Sequence, residues 1–497
     1  MDNKQKLFID ESRRIAKVIR DASEIAIFTH IDADGITSGS IAYQVALRLG
    51  IRAEINFLKK LDDAAVETIR SRKDCLIWMN DLGSGYISRF SGLKMVIADH
   101  HEPEIENPIL TENGRTRLAE SSICHLNAHL FGIEGSTEIS SSTTSYFIAR
   151  SVDNRNKDLS AIALVGAIGD LQDSRFGKLT GMNRLVLEDA LSEGCVSVIR
   201  DTKFYGKETR PLSKLLEYSV DPQIPGVSSD PGAASRLLES LGIDYRVQGR
   251  EKTWRETDID DRRKIVSFIV QKMISEGIPA EQINSIVGET YLIRDPRAEE
   301  DDRMPSDAKE FATLINACGR YEKYDTGLNL CLGRRGEVLD SALSLLDEHR
   351  RNVANTIRMV KLEGLGQMST LQYFHTTDRA PDSIVGTIAG ILMKSKDVNE
   401  AKVVVGFAYS EGKVKVSCRG NTELVGIGLN LAEAVRIAAE SVGGIGGGHS
   451  IAAGATIDVG QEQNFLNSLD RQIAQQLRAE SAAPISANSS SPQEPKQ

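Results

Sequence analysis

Ile25-Ala26-Ile27-Phe28-Thr29-His30-Ile31-Asp32-Ala33-Asp34-Gly35 runs from five mostly apolar, β-favouring residues into a histidine and two aspartates, and ends on a glycine that permits a sharp turn. Residues 36–40 then open an apolar run, 41–49, that reads as a helix. The unit is a strand leading into a helix, with three candidate ligands at the strand's carboxyl end. Open α/β sheets bind their ligands there. If the backbone stays extended as far as Asp34, alternation turns His30, Asp32 and Asp34 to one side. Alone, an Asp-x-Asp-Gly after a strand is as readily a plain turn.

Three further clusters change that balance, each at the end of an apolar run. Residues 51–57 read as a second strand and 62–71 as a helix. A third strand, 75–79, delivers Asn80-Asp81-Leu82-Gly83, and a fourth, 93–98, delivers Asp99-His100-His101. Helical segments at 141–151 and 161–168 follow, the second ending at Gly169-Asp170. An amphipathic helix over 10–22 precedes them all. Strands alternating with helices predict an α/β fold with a mostly parallel sheet covered by helices.

A chain of 497 residues is long for one domain, and its 40% hydrophobic and 26% charged content is that of a globular protein with an ample core. No apolar run approaches the roughly 20 residues that span a bilayer. The first residues lead into no signal-peptide apolar region, so no membrane partner and a cytoplasmic location are expected. Six scattered cysteines without a Cys-x-x-Cys spacing read as reduced thiols, neither disulfide framework nor zinc site. The net charge of −10 excludes a broadly basic coat for nucleic acid. It leaves room for a local basic groove, or for a site whose positive charge is bound metal.

From residue 194 to 340 the character changes. Short Pro/Gly loops separate charged helices, and Ile265, Phe268, Ile269 and Met273 recur at helical spacing, which predicts a largely helical insertion. Residues 337–360 read as one long helix. Beyond it, residues 401–409 and 412–418 flank Ser410-Glu411 as a hairpin does. The glycine run over 443–448, ending at His449, is too glycine-rich for the interior of an element. It lets backbone amides approach an anion closely. The Ser/Ala/Pro/Gln tail over 481–497 lacks apolar periodicity and is expected to be disordered.

His30, Asp32, Asp34, Asp81, Asp99, His100, His101 and Asp170 are thus the residues to collect. Carboxylates with no basic partner in their motifs repel one another unless divalent cations join them. A mixed imidazole and carboxylate shell suits manganese, iron or zinc better than calcium. So many ligands exceed the needs of one open ion and suit two, the pair about 3.5–4 Å apart that serves displacement at phosphorus. Asp173, near the fourth cluster, reads as a helix cap or surface charge. His125 and His129 read as structural, in a loop with Asn127.

Asp99-His100-His101 is the signature of the DHH phosphoesterase superfamily, and His30-x-Asp32-x-Asp34-Gly35, Asn80-Asp81 and Gly169-Asp170 stand in that family's order. Gly446-Gly447-Gly448-His449, with Ser417-Cys418-Arg419 upstream, resembles the associated DHHA1-type substrate-binding domain. Within the superfamily the chain looks most like the archaeal RecJ-like exonucleases, the GINS-associated nuclease among them; Asn316-Ala-Cys-Gly-Arg320 adds to the likeness. Unlike the bacterial RecJ pattern, it shows no extra C-terminal OB-fold.

The resemblance implies a DHH domain over 1–193, a helical insertion over 194–340 that is a candidate docking module, a connector helix over 341–363 and a smaller α/β domain over 364–480. It implies that His30 and Asp32 hold one metal, Asp34 the other, that Asp81 bridges both, and that His100 and Asp170 complete the second. Asp99 would orient a histidine, and His101 would touch the scissile phosphate or assist the leaving oxygen. Arg419, Gly446, Gly447, Gly448 and His449 would bind the substrate backbone across from the metals, clamping a strand between the two domains.

The activity expected is a two-metal exonuclease on single-stranded nucleic acid, with Mn²⁺ the best-suited ion, 5′–3′ on DNA, in replication or repair. RNA and GINS-type replication proteins are the further partners expected. A phosphodiesterase for short oligonucleotides or cyclic dinucleotides is the alternative enzyme. A non-catalytic helicase-scaffold subunit is the alternative of another class, and it would be expected to lack metal ligands.

Overall fold

The fold is that of a computed structural model, which describes residues 1–104, 122–219, 222–228, 230, 232–395 and 398–481. The chain divides into two compact units, Met1–Asp347 and Glu348–Gln497.

In the first unit, five parallel strands, β1 (Glu24–His30), β2 (Arg52–Leu58), β3 (Leu76–Asn80), β4 (Met95–Asp99) and β5 (Ile123–Asn127), lie in the order β2-β1-β3-β4-β5. The order reverses at β1, so the crevice between β1 and β3 is the switch point at which such sheets bind ligands. β3, β4 and β5 are buried throughout. Both faces of the sheet are covered, so strands carry continuous apolar runs rather than an alternation. Ile25, Ile27, Trp78, Val96 and Ala98 face one core. Ala26, Phe28, Ile77, Met79 and Ile97 face the other.

The helices α1 (Asn3–Arg20), α2 (Ala33–Leu49), α4 (Ser141–Val152) and α5 (Ser160–Gly169) supply the first core, and α3 (Asp63–Arg70) the second. The sequence places the first four strands within a residue or two. It does not suggest β5, whose Ile123-Cys-His-Leu-Asn127 reads only as a loop with histidines.

α6 (Gly181–Ser192) leads into the insertion, where β6 (Val196–Thr202) pairs antiparallel with β9 (Val287–Ile293). Between them lie α7 (Leu212–Glu217), α8 (Ala233–Ser240), the small hairpin of β7 (Arg246–Val247) and β8 (Arg250–Glu251), α9 (Ile259–Ser275) and α10 (Ala280–Asn284). The residues from Phe204 to Ile286 pack a core of their own around Trp254 and the Ile265, Ile269, Met273 stripe of α9. Residues beyond β9 do not join it. α11 (Ala308–Arg320), α12 (Tyr324–Cys331) and the start of α13 (Glu337–Glu363) bury Phe311, Ile315, Cys318, Leu330 and Leu339 in the core of the parallel sheet. The segment expected as one insertion, 194–340, therefore holds an inserted module and helices that return to the first core.

In the second unit β10 (Gly366–Gln367), β11 (Leu371–His375), β12 (Val403–Ser410), β13 (Lys413–Arg419), β14 (Ile445–Gly448) and β15 (Ala452–Asp458) form one mixed sheet, ordered β10-β11-β12-β13-β15-β14. α16 (Leu431–Glu440) and α17 (Glu462–Ser481) cover one face. α14 (Val385–Met393) and Val360 of α13 cover the other, and the short α15 (Thr422–Gly426) follows β13. The hairpin turns at Glu411-Gly412, both at positive φ, one residue later than expected.

The glycine run does form an element, contrary to expectation. Its strand β14 edges the sheet with α16 behind it, and a Cβ on Gly446 would lie 2.9 Å from the Val435 carbonyl oxygen of that helix. The glycines permit close packing that a side chain would forbid. The tail expected to be disordered lies, beyond residue 481, outside the described residues. No helix among the described residues is long and apolar enough to cross a membrane, and all six cysteines are buried and unpaired.

Candidate metal centre

β1 ends at His30, and the register sets Thr29 beside Asn80 and Asn80 beside Ala98. His30, Asp81 and Asp99 therefore leave three adjacent strands at the same rim. The chain does not stay extended to Asp34. Asp32 caps α2, accepting from the Gly35 amide at 2.9 Å, and Asp34 already lies in the helix's first turn. The two aspartates consequently serve different groups. His30 Nδ1 lies 3.0 Å from Asp32 Oδ2 and 3.3 Å from Asp81 Oδ2. His100 lies 4.0 Å from Asp34 and 3.7 Å from Asp170. Asp81 Oδ1 reaches His100 at 3.6 Å and His101 at 3.8 Å. His30–Asp32–Asp81, Asp34–His100–Asp170 and Asp81–His100–His101 each offer ligand atoms within 4.8 Å of one another.

Backbone amides and neighbouring side chains aim these groups. Asp34 accepts from the Ser141 and Ser142 amides at 2.7 and 3.0 Å, so the first turn of α4, with its partial positive charge, fixes both carboxylate oxygens. His100 Nδ1 donates to the Gly135 carbonyl at 2.7 Å, which turns Nε2 toward the carboxylates of Asp34 and Asp81. Asp170 accepts from Gln172 Nε2 at 2.7 Å. Asp99 is itself held by the Ser84 amide and binds His101 Nδ1 at 2.8 Å, presenting the other nitrogen of a half-exposed ring. Asp81 holds φ at 60°, a left-handed conformation costing on the order of 1–3 kcal/mol that an aspartate tolerates better than most.

Electrostatically the cluster is incomplete as it stands. Burial, with the charges of Asp32 and Asp34, pushes the Asp81 carboxyl up to about 7. Burial, opposed by His100 and reinforced by Asp34, pushes Asp170 up to about 6. Burial disfavours charge on His101, yet the Asp99 bond raises it to about 10. Two atoms at the centre, Asp81 Oδ1 and His100 Nε2, are buried without a hydrogen-bond partner among the described residues. Leaving such atoms unmet costs about 1–3 kcal/mol each. A carboxylate oxygen and an imidazole nitrogen 3.6 Å apart, among further carboxylates, are donor atoms that suit a divalent cation.

Residues 204–287 match the DHH-CID domain family and residues 370–475 the DHHA1 domain family. MJ0831, an uncharacterized protein of Methanocaldococcus jannaschii, is 30% identical over 467 residues, covering 93% of this chain and 96% of its own. RecJ of Thermus thermophilus in complex with Mn²⁺ superposes at a TM-score of 0.56 and 14% identity, over 94% of this chain and 55% of that one. CDC45 from Entamoeba histolytica superposes at 0.64 and 10% identity, over 94% and 99%. The chain belongs to the same family as MJ0831, carries a DHH-CID and a DHHA1 domain, and has a RecJ-like fold. The two solved structures share its fold at low identity, and it spans about half of the Thermus RecJ chain.

The residues expected to bind substrate lie in the second unit. Arg419 and His449 sit at one end of the sheet, since Arg419 is in register with Ala452 and the His449 amide donates to the Ala452 carbonyl at 2.8 Å. Gly446, Gly447 and Gly448 run along the edge behind them. The Arg419 guanidinium lies over α14, where a Cβ on Gly386 would come within 2.7 Å of it. Burial lowers its pKa below the ordinary arginine value.

Several positioning residues escape a reading of motifs. Gly135, Ser141, Ser142 and Gln172 act through local backbone or amide groups that carry no motif. α11 supplies more of the RecJ-like centre than the sequence implies. Asn316 Oδ1 accepts from the Ala33 amide at 2.9 Å. A Cβ on Gly319 would lie 1.8 Å from the Ile31 carbonyl oxygen, so only glycine lets the helix press on the metal loop. Arg320 follows, disfavoured by burial but favoured by the charge of Asp32, with no hydrogen bond or ion pair to the described residues.

Asp173 is no surface charge. It is buried, with one carboxylate oxygen unpartnered and its pKa raised by burial. His125 bonds Ser84 at 2.8 Å, and burial lowers its pKa to about 4, so it stays neutral. Asn127 holds the His101 carbonyl at 2.8 Å.

Proposed function

We propose that this RecJ-like protein is a metal-dependent phosphodiesterase that degrades single-stranded nucleic acid from an end, 5′–3′ on DNA, in replication or repair. The observation that carries the reading is the pair of ligand groups, His30–Asp32–Asp81 and Asp34–His100–Asp170, joined through a buried Asp81 whose oxygen has no partner. Two divalent ions there, Mn²⁺ by ligand type, would neutralise the phosphate oxygens and activate water.

The chain's own residues do the rest. Asp99 holds the His101 tautomer, and His101, half exposed beside the ligands, gives a proton to the departing oxygen. Arg320 brings fixed positive charge to the side of the centre near Asp32. In the second unit Arg419 and His449 take the substrate backbone. A manganese-supplemented digest of end-labelled single-stranded DNA and RNA, with the products sized, tests the proposal. Mononucleotides from one end support it, and products from short oligonucleotides alone point to the alternative enzyme.

The likeness to CDC45 supports a second reading, a scaffold subunit of a replication assembly, in which the 204–287 module docks protein partners of the GINS type. Scaffold use explains no orphaned ligand atoms, so it ranks second as a sole role, and the two can coexist. Absence of hydrolysis with Mn²⁺, Mg²⁺ or Co²⁺ on every strand tested would favour it.

A further inference from the structure

The inserted module holds an aromatic and cationic cluster on a loop tied to α11, the helix whose far end packs against the loop after β1. At the end of β6, Phe204 is buried and packs edge-on to Trp254 at 5.5 Å, which anchors the loop in the module's core. Lys207 is buried and bonds Thr290 Oγ1 at 2.7 Å and pairs with Asp307 at 3.2 Å. The Glu208 and Thr209 amides donate to the buried Glu310 of α11 at 2.8 and 3.1 Å. With both flanks held, Tyr205 and Arg210 have little freedom. The Arg210 guanidinium lies 4.7 Å from the centre of the Tyr205 ring and 5.8 Å from that of Tyr218. Lys214 lies 5.4 Å from the Tyr218 ring, with its charge shared with Glu217.

Two details give this cluster a direction. Tyr205 sits on the loop that Glu310 of α11 holds, the helix that ends at Arg320, and its hydroxyl is buried without a hydrogen-bond partner among the described residues. Tyr218, at the other end, is 49% exposed, a large ring left open to solvent. An arginine laid against tyrosine, ending in an open ring, is unneeded for the module's core, which is packed without it. It is what a protein offers an unpaired base and its phosphate, because every base has a face to stack and every linkage a charge.

The geometry points to Tyr205, Arg210 and Tyr218 as a platform on the inserted module that stacks an unpaired base and leads a single strand of nucleic acid toward the metal centre. The direction of travel rests on the hydrolytic reading above; the binding does not. The platform reads base faces and backbone charge, so it takes DNA and RNA without strong sequence preference. It also gives the module a role beyond docking proteins.

The test is binding to fluorescein-labelled single-stranded oligo(dT) in EDTA by anisotropy, beside an oligonucleotide whose 2-aminopurine loses fluorescence on stacking. Tyr218→Ala should weaken binding roughly tenfold, within the range for one lost stacked base, and abolish the quenching. Tyr218→Phe, which keeps the ring, should restore both. Arg210→Ala should lower the salt dependence of binding by about one phosphate contact.

Melting curves identify any variant that has lost its fold, and Tyr218→Phe keeps the comparison meaningful in that event. Wild-type affinity and quenching in Tyr218→Ala would overturn the inference, as would a wild-type chain that binds no oligonucleotide; the surface would then belong to a protein. A wild-type chain that binds through the platform yet cleaves nothing with Mn²⁺ would leave the platform standing and remove the hydrolytic reading.

Discussion

Replacing Asp81 by asparagine should make the metal-free protein more stable at alkaline pH while removing its response to metal. Asp81 is 2% exposed, surrounded by Asp32 and Asp34, and its carboxyl is pushed from an ordinary 3.8 to about 7. A carboxyl whose pKa is higher folded than unfolded favours the folded state while protonated, and this contribution is lost as pH rises from about 4 through about 7. At about 1.4 kcal/mol per pH unit, the rise corresponds to a loss on the order of 4 kcal/mol by pH 8. Asparagine keeps the shape and never ionises.

For a unit the size of Met1–Asp347 that difference is about 5 °C in melting temperature. In EDTA at pH 8 the variant should therefore melt several degrees above the wild type, and at pH 4.5 the gap should close. Mn²⁺ in hundredfold excess over its dissociation constant should close most of the gap, adding about 2.7 kcal/mol to the wild type and little to the variant. Differential scanning fluorimetry at the two pH values, with EDTA or Mn²⁺, reads all four cases. An Asp81→Asn chain that melts lower than wild type in EDTA at pH 8, or that gains as much from Mn²⁺, would refute the reasoning.

Other perturbations separate the parts of the centre. His101→Ala should retain metal binding, read by calorimetric titration, but lose about 10²–10⁴-fold in turnover of a labelled strand, the usual worth of a positioned proton donor. Gly319→Ala places a methyl 1.8 Å from the Ile31 carbonyl oxygen, so urea denaturation should show a loss of about 1–3 kcal/mol, with weakened metal affinity as the loop shifts. Arg419→Ala should raise KM for a strand without changing metal affinity, and equal KM values would remove Arg419 from the substrate path. Gly446→Ala should lower the stability of the second unit because the new methyl meets the Val435 carbonyl.

The fold is legible where local chemistry and tertiary need agree. Strands buried on both faces leave continuous apolar runs, so β1, β3 and β4 can be placed, and with them Asp81, Asp99 and His100 at one rim. β5 cannot, because its Ile123-Cys-His-Leu-Asn127 carries a histidine whose polarity is met by Ser84, a residue 41 positions away in sequence. The glycine run misleads for the converse reason. A strand of glycines has no propensity to advertise, and Ile445–Gly448 is extended because it pairs with β15, with Gly446 and Gly448 packed too closely for a side chain.

Within the centre, the ligand types can be read but their division cannot. It turns on whether Asp34 is in the strand or the helix, and the serine amides of α4 help to settle that from more than a hundred residues away. Asp173 reads as a surface charge because burial of a carboxylate has no local signature.

The contact between α11 and the metal loop bears on how the chain comes into being. His30, Asp32 and Asp34 leave the ribosome nearly 300 residues before Asn316 and Gly319, the groups that brace the loop they stand on. A growing chain with five strands already paired still lacks the helix that seats its ligands. The seating of that loop thus waits for synthesis of the inserted module, since α11 follows it in the chain and Glu310 grips its first loop. The order of the parts thus delays assembly of this rim until most of the first unit has been made.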